Sequence, residues 1–391
     1  MTKQEKTVRE PLFHVVKRDK PVWWKSWGIR LLSVVFAFAV SSVIILVFTG
    51  DDPFKVFLTM VDGAFGTERR IWSLLQAVAM LLCVSLAVTP AFKMKFWNIG
   101  AEGQALMDNA ATCMIFLGDK MPTPLLLLVI LAASIIAGAV WALVPAYFKA
   151  RFGTNETLFT LMMNYIAIQI VSYFVYIWAN PVGSGKIGVI NPDTNAGWLP
   201  VIGGKSYLLN ILIVVVLTIA MYIYLKYSKH GYEISVVGES QNTARYIGIN
   251  VKKVIIRTMI LSGALCGIAG FLLVCGTDHT ITRDTISGRG FTAIMVSWLA
   301  KFNPIFMILT SLLIVFFQKG ATEISTQFGL NDSFSEIISG IVIFFIIGSE
   351  FFINLRLCRE FLFFSVQPVK YSPRNPVTLT SVFRVSCMWA E

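Results

Sequence analysis

The sequence predicts an all-α fold: a polytopic transmembrane helical bundle of about ten crossings, two of them interrupted, with room for a two-fold internal repeat. Three observations carry this. Of 391 residues, 56% are hydrophobic and 14% charged, too few charges to cover a soluble surface and too much apolar chain for one core. Apolar runs recur near 29–49, 71–90, 124–148, 157–178, 207–225, 254–275, 303–318 and 335–353, close to the roughly 18 residues that cross about 30 Å of hydrocarbon. The excess positive charge, finally, is confined to three pieces of chain.

Those pieces fix the expected topology. Residues 1–30 carry +5, residues 226–253 carry +3 and residues from Arg356 onward carry +3, which together are the whole net charge of +11. Basic segments beside membrane spans stay in the cytoplasm, so both termini and the 226–253 passage are expected inside, with an even number of crossings. The same placement excludes nucleic-acid binding, which needs its charge gathered on one soluble face. The expected organisation is a cytoplasmic N-terminal segment, 1–28, a transmembrane domain, 29–355, and a poorly ordered cytoplasmic tail, 356–391.

Taken in order, about 28 polar and charged residues precede the first apolar run, which is not the pattern of a signal peptide. Trp23, Trp24 and Trp27 should sit at the headgroup level. The loop from Gly50 to Arg70 holds Asp51, Asp52, Asp62 and Glu68; it is expected outside, with room for a short surface helix. The second crossing ends near Thr89-Pro90, with Lys93 and Lys95 at the inner face.

FWNIGAEGQALMDNAA, residues 96–111, then breaks the apolar pattern with Asn98, Gly100, Glu102, Gly103, Gln104 and Asp108. Irregular backbone at membrane depth survives only inside protein or beside a water-filled cavity, and intramembrane acids point to function. Two readings stand: Asn98 caps the next helix and Glu102 bonds backbone, or Asn98, Glu102 and Gln104 line a substrate pathway. The fifth crossing opens with GTNET, where Gly153 turns the chain, Asn155 caps and Glu156 meets the helix dipole. Asn164, about two turns further on, either bonds a neighbouring helix or faces the pathway.

Residues 179–205, rich in Gly, Pro and Asn, read as an external loop. GSGK at 183–186 lacks the earlier glycine and the following Ser or Thr of a phosphate-binding loop. In the 226–253 passage Ser240 can cap a helix of about eight residues that Gly248 ends. Gly263 and Gly267 have the spacing for close helix contact. SGRGFTAIMVSWLAK, 287–301, is too short for a full span, and its Gly288-Arg289-Gly290 opening echoes Gly100 to Gly103.

No nucleophile, base and orienting group share a motif, so an enzyme is not expected. Nor is a metal site or a cofactor: His14, His230 and His279 are scattered and no CxxC occurs. The cysteines in apolar runs, Cys83, Cys113, Cys266 and Cys275, are expected as reduced packing residues.

FWNIGAEGQ, GTNET with MMNY close behind it, and GESQNTARYIGINVKK followed by SGALCGIAG together resemble the permeases of ABC importers for simple sugars and nucleosides, above all the nucleoside-type branch. The resemblance covers about residues 50–353. It implies two membrane subunits around one pathway, as a homo- or heterodimer, with separate ATP-binding subunits below and an extracellular substrate-binding lipoprotein above. The family's coupling helix maps onto about Glu239 to Gly248, giving Glu239, Ser240, Asn242, Ala244, Arg245 and Gly248 as expected coupling residues. The expected function is ATP-driven import of nucleosides or simple sugars across the cell membrane by alternating access. The alternative is an ion-coupled secondary transporter of a small neutral solute, which would need Glu102 or Asp108 as its coupling site.

Overall fold

A computed structural model describes residues 13–17, 23–50, 52–329 apart from 109, 119, 180, 182, 183, 185 and 206, and 332–359. It contains two compact units, Met1–Gly50 with Gly340–Glu391, and Asp51–Ser339. The first holds helix α1, Trp23–Thr49, and an antiparallel pair of strands, β1 (Phe13–Lys17) and β2 (Leu355–Arg359), in which Phe13 faces Arg359 and Lys17 faces Leu355. The sequence predicted no strand here. Residues 356–359, expected in a poorly ordered tail, belong to β2, and 360–391 lie outside the described residues.

The second unit begins with α2, Pro53–Phe65, the short helix for which the first loop has room. Asp52 caps it, accepting from the Phe54 amide at 3.0 Å, and Pro53 supplies the fixed φ of a first helical turn. Three helices follow: α3, Glu68–Lys93, and, after a break, the pair α4, Ala101–Leu106, and α5, Ala110–Leu117. Next come α6, Thr123–Phe152, α7, Glu156–Ile177, and α8, Leu208–Tyr227. Gly153 ends α6 at φ +70°, and Asn155 caps α7 by accepting from the Leu158 amide at 3.2 Å, as the GTNET pattern predicts.

The polar passage folds as α9, Lys229–Glu239, and α10, Gln241–Tyr246. Beyond it lie α11, Val251–Leu273, extended by a π-helical turn over Val274–Asp278, then α12, Arg289–Leu299, and α13, Pro304–Gln327. The last helix is α14, Asp332–Asn354.

Among the described residues seven helices are long and apolar enough to cross a membrane: 28–47, 68–93, 123–152, 156–177, 208–227, 251–278 and 304–327. A shorter apolar stretch, Glu336–Ser349, lies in α14. The two interrupted segments appear where the sequence broke, as α4 with α5 and as the eleven-residue α12.

Helices α3 and α11 are buried along most of their length, whereas α6, α7 and α8 leave most of their apolar surface outward. This is the arrangement expected of a central pair inside a lipid-facing ring. Helices α6 and α11 touch backbone to backbone: a Cβ on Gly267 would fall on the Ser134 carbonyl, and one on Gly263 on the Gly138 carbonyl. On the other side α2 lies on α13, with Phe65 stacked on Phe316 at 5.8 Å. Arg70 of α3 pairs with Asp62 at 2.7 Å and with Glu323 at 2.6 Å.

Candidate functional site: two half-helices and a polar handle

The chain between α3 and α4 cannot continue as a helix, and its polar residues show why it need not. Asn98 Oδ1 accepts from the Gly100 amide at 3.0 Å and from Gln104 Nε2 at 3.1 Å, and Asn98 Nδ2 donates to Gln104 Oε1 at 3.2 Å and to Ser262 Oγ of α11 at 3.3 Å. Asn164 of α7 accepts from the Gly103 amide at 2.8 Å and donates to the Ile99 carbonyl at 2.8 Å. Thr160 accepts from the Ile99 amide at 3.2 Å. The unravelled turn before α4 therefore has its backbone groups satisfied by side chains, as burial in a bilayer demands. Gly100 occupies the N-cap position, so Asn98 acts two residues ahead of it.

Glu102 meets a partner 186 residues away. Its two carboxylate oxygens accept from the Gly288 and Gly290 amides, each at 2.8 Å. The half-helices thus meet N-terminus to N-terminus, and one carboxylate answers the free donors and positive dipole of α12. The approach is tight, since a Cβ on Gly290 would lie 2.7 Å from the Glu102 backbone nitrogen. Gly288 takes φ +70° here, a conformation costly for any residue with a Cβ. The meeting point is deep: α4 lies beside Ser262, midway along α11, and beside Asn164 in α7.

From that depth α12 descends to the far end of α3, where Ser297 Oγ and Thr89 Oγ1 are 2.9 Å apart and Trp298 lies 5.4 Å from Trp97. Helices α3 and α12 end alike. The Phe96 amide reaches the Ala91 carbonyl at 3.0 Å with Lys95 at φ +59°, and the Phe302 amide reaches the Ser297 carbonyl at 2.9 Å with Lys301 at φ +51°. Asp108 is buried with Oδ1 accepting from the Ala110 amide at 3.1 Å, while Oδ2 has no hydrogen-bond partner among the described residues.

At the same end of the bundle as the Trp pair sits the handle, α9 with α10. Ser228 caps α9 by accepting from the Gly231 amide at 2.9 Å, and Ser240 caps α10 by accepting from the Thr243 amide at 3.2 Å. Gly248, at φ +87°, ends α10 as the sequence predicts. The helix is six residues long against an expected eight, because Glu239 belongs to α9 and Ile247 is already its C-cap.

Ile234, Val237 and Ala244 pack into one cluster with Ala91, Met94, Phe96, Ala142, Ala146 and the first turns of α11. A Cβ on Gly238 would fall on the Lys93 carbonyl, so α9 sits directly against the end of α3. Arg257 of α11 holds Glu233 at 2.7 Å and keeps its carboxyl below the ordinary carboxylate range. Of the expected coupling residues, Ala244 faces this core, whereas Glu239, Asn242, Arg245 and Gly248 are exposed and Ser240 is half-buried. Arg245 Nη1 donates to Asn242 Oδ1 at 3.4 Å and has no carboxylate partner among the described residues. Tyr246, 92% exposed, and Ile247, 50% exposed, stand beside it.

Asn98, Glu102, Gln104 and Asn164, expected from sequence as pathway residues, are all buried and all bonded within the chain. Asn164→Leu removes the acceptor of Gly103 and the donor to Ile99 together, at about 1–3 kcal/mol for each buried group left unpaired. The variant is expected to unfold several degrees below the parent in a detergent melt; an unchanged melting temperature would show that these bonds do not hold α4.

Sequence reasoning missed α9, whose Ser228 cap was the available signal, and the π-helical turn, for which there was none. It also missed the packing of the loop over 179–205 on that turn. The Ile190 amide donates to the His279 carbonyl at 2.8 Å, the Leu199 amide to the Cys275 carbonyl at 2.9 Å, and the Trp198 ring stacks on His279 at 3.8 Å.

A family model described as branched-chain amino acid transport system, permease component, matches residues 70–347. A glucose ABC transporter permease protein of Haloferax volcanii is 28% identical over 87% of this chain and 92% of its own. The guanosine ABC transporter permease protein NupP of Bacillus subtilis is 27% identical over 82% of this chain and 93% of its own. The guanosine ABC transporter permease protein NupQ of the same organism is 28% identical over 53% of this chain and 67% of its own.

Proposed function

The chain belongs to the branched-chain amino acid transport system permease component family, which makes it a multi-pass membrane permease subunit, and from that premise we propose that it serves ATP-driven import of nucleosides or simple sugars. Its relatives include permease proteins of ABC transporters for guanosine and for glucose. The observation that carries the reading is the handle: two short capped helices on the bundle's core, presenting Arg245, Tyr246 and Ile247 outward. A rigid part seated on α3, α6 and α11 transmits force, and a guanidinium without a carboxylate partner among the described residues, beside an exposed tyrosine, suits a partner with an acidic, apolar groove. In this reading the partner is a separate ATP-binding subunit, which places the handle and both termini in the cytoplasm, as the charge distribution also argues.

A second permease subunit completes the pathway. Two different guanosine permease proteins of one organism resemble this chain, which supports a heterodimer, and an extracellular binding lipoprotein delivers the solute. About ten crossings, counting both interrupted segments, agree with both ends inside. Asn98, Glu102, Gln104 and Asn164 act here by holding α4 and α12 beside the pathway rather than by touching solute. The ion-coupled alternative loses one of its two candidates, because both Glu102 oxygens are taken by backbone amides, and is left with Asp108.

The test is uptake by membrane vesicles holding the whole transporter, across a panel of labelled nucleosides and sugars. ATP-dependent accumulation of one class is expected; accumulation driven by an ion gradient without ATP would overturn the reading.

A further inference from the structure

We propose that Trp97 and Trp298, their rings tilted by 47° to one another, form the inner gate of the solute pathway, an aromatic pair that offers an indole face to the flat face of a neutral ring such as a nucleobase; this rests on the importer reading above. The two indoles, 44% and 49% exposed, come from the two interrupted segments and lie 5.4 Å apart. They continue a chain of rings, from Phe92 at 5.9 Å from Trp97 to Phe302 at 6.4 Å from Trp298.

Lipid is one possible neighbour of such an exposed pair, the water-filled seam with the second permease subunit is the other, and the rest of α12 decides between them. Phe291, Met295 and Trp298 are exposed at helical spacing, in line with Gly288 at the head of the helix. Eleven residues at about 1.5 Å each reach roughly 16 Å, about half of the hydrocarbon thickness. Since the lower end of α12 touches the end of α3 at Thr89, its upper end lies near mid-membrane. There the exposed chain is irregular and polar: Ser287 at φ +51°, Gly288 at φ +70°, and the exposed Arg283–Asp284 pair just before them. Lipid does not accept irregular polar backbone at that depth, whereas a water-filled pathway does. The strip from Gly288 to Trp298 is therefore a pathway wall, and the Trp pair is its lower end.

The pair is also connected to the handle. Phe96, next to Trp97, shares a buried cluster with Ile234, Val237 and Ala244 of α9 and α10. A displacement of the handle moves residues 94–97 directly, which opens or closes the distance to Trp298. Stacking of a flat ring on indole is tolerant of substituents and needs no charge, which suits passage rather than tight retention.

The test uses inside-out vesicles with the assembled transporter and guanosine as the probe. A charged, water-borne thiol reagent is expected to label Trp298→Cys above the parent background, and guanosine to slow that labelling several-fold. Trp97→Ala and Trp298→Ala are each expected to lower guanosine uptake about ten-fold, while Trp97→Phe and Trp298→Phe, which keep a ring, retain most of it. Absence of labelling in every nucleotide state, or parent-level uptake by both alanine variants, overturns the gate. A parent transporter that carries neither nucleosides nor sugars overturns the proposed function instead, and labelling still decides whether the pair faces water.

Discussion

Arg245→Glu is expected to lower ATP-dependent uptake at least ten-fold while leaving membrane insertion and accumulation of the permease unchanged. The side chain reaches outward from a six-residue helix whose only buried member is Ala244, and its nearest partner is Asn242 on the same turn. Reversing its charge therefore costs the chain only that exposed contact with Asn242. Against an acidic groove, however, it replaces a charge-assisted contact by repulsion, an effect of several kcal/mol at a desolvated interface. ATP hydrolysis by the assembled complex should lose its response to loaded binding protein along with transport. Parent-level uptake would remove Arg245 from the coupling contact.

The second large effect belongs to Glu102. Glu102→Leu leaves the Gly288 and Gly290 amides without these acceptors at a buried helix start. At about 1–3 kcal/mol for each, the loss is a large part of the roughly 5–15 kcal/mol that holds a domain folded. The variant is expected to accumulate poorly and to melt several degrees lower, and any protein recovered should transport weakly. Glu102→Gln keeps one acceptor and should fall between the two. A fully active Glu102→Leu protein would mean that the two half-helices do not depend on this bridge.

These two residues differ in how far the sequence could have led to them. The cap at Ser240, the stop at Gly248 and the charge of Arg245 are local signals, so α10 was legible to within two residues. The break at Asn98 to Gly103 was legible as well, because polar residues and glycine interrupt an apolar run. What it was for was not: its partner Gly288 lies in a loop that no periodicity connects to it. The long helices were read from length and hydropathy because membrane spans need little else.

Helix α9 was hidden by Gly231 and Gly238, which look like loop residues. Both are needed where the helix presses on backbone, Gly231 against the Tyr224 and Leu225 carbonyls and Gly238 against the Lys93 carbonyl. The pairing of β1 with β2 joins segments over 300 residues apart, with no turn between them to signal it.

The central claim is that the handle delivers the work of a separate ATPase to this chain. The direct measurement places a photoreactive benzoylphenylalanine at Tyr246, the most exposed large side chain of the handle, in membranes that carry the whole transporter. The account predicts a crosslink to the ATP-binding subunit whose yield changes when the bound nucleotide is hydrolysed. A complex that copurifies intact yet gives no such crosslink, or a position 246 that reacts from outside the cell, would contradict it.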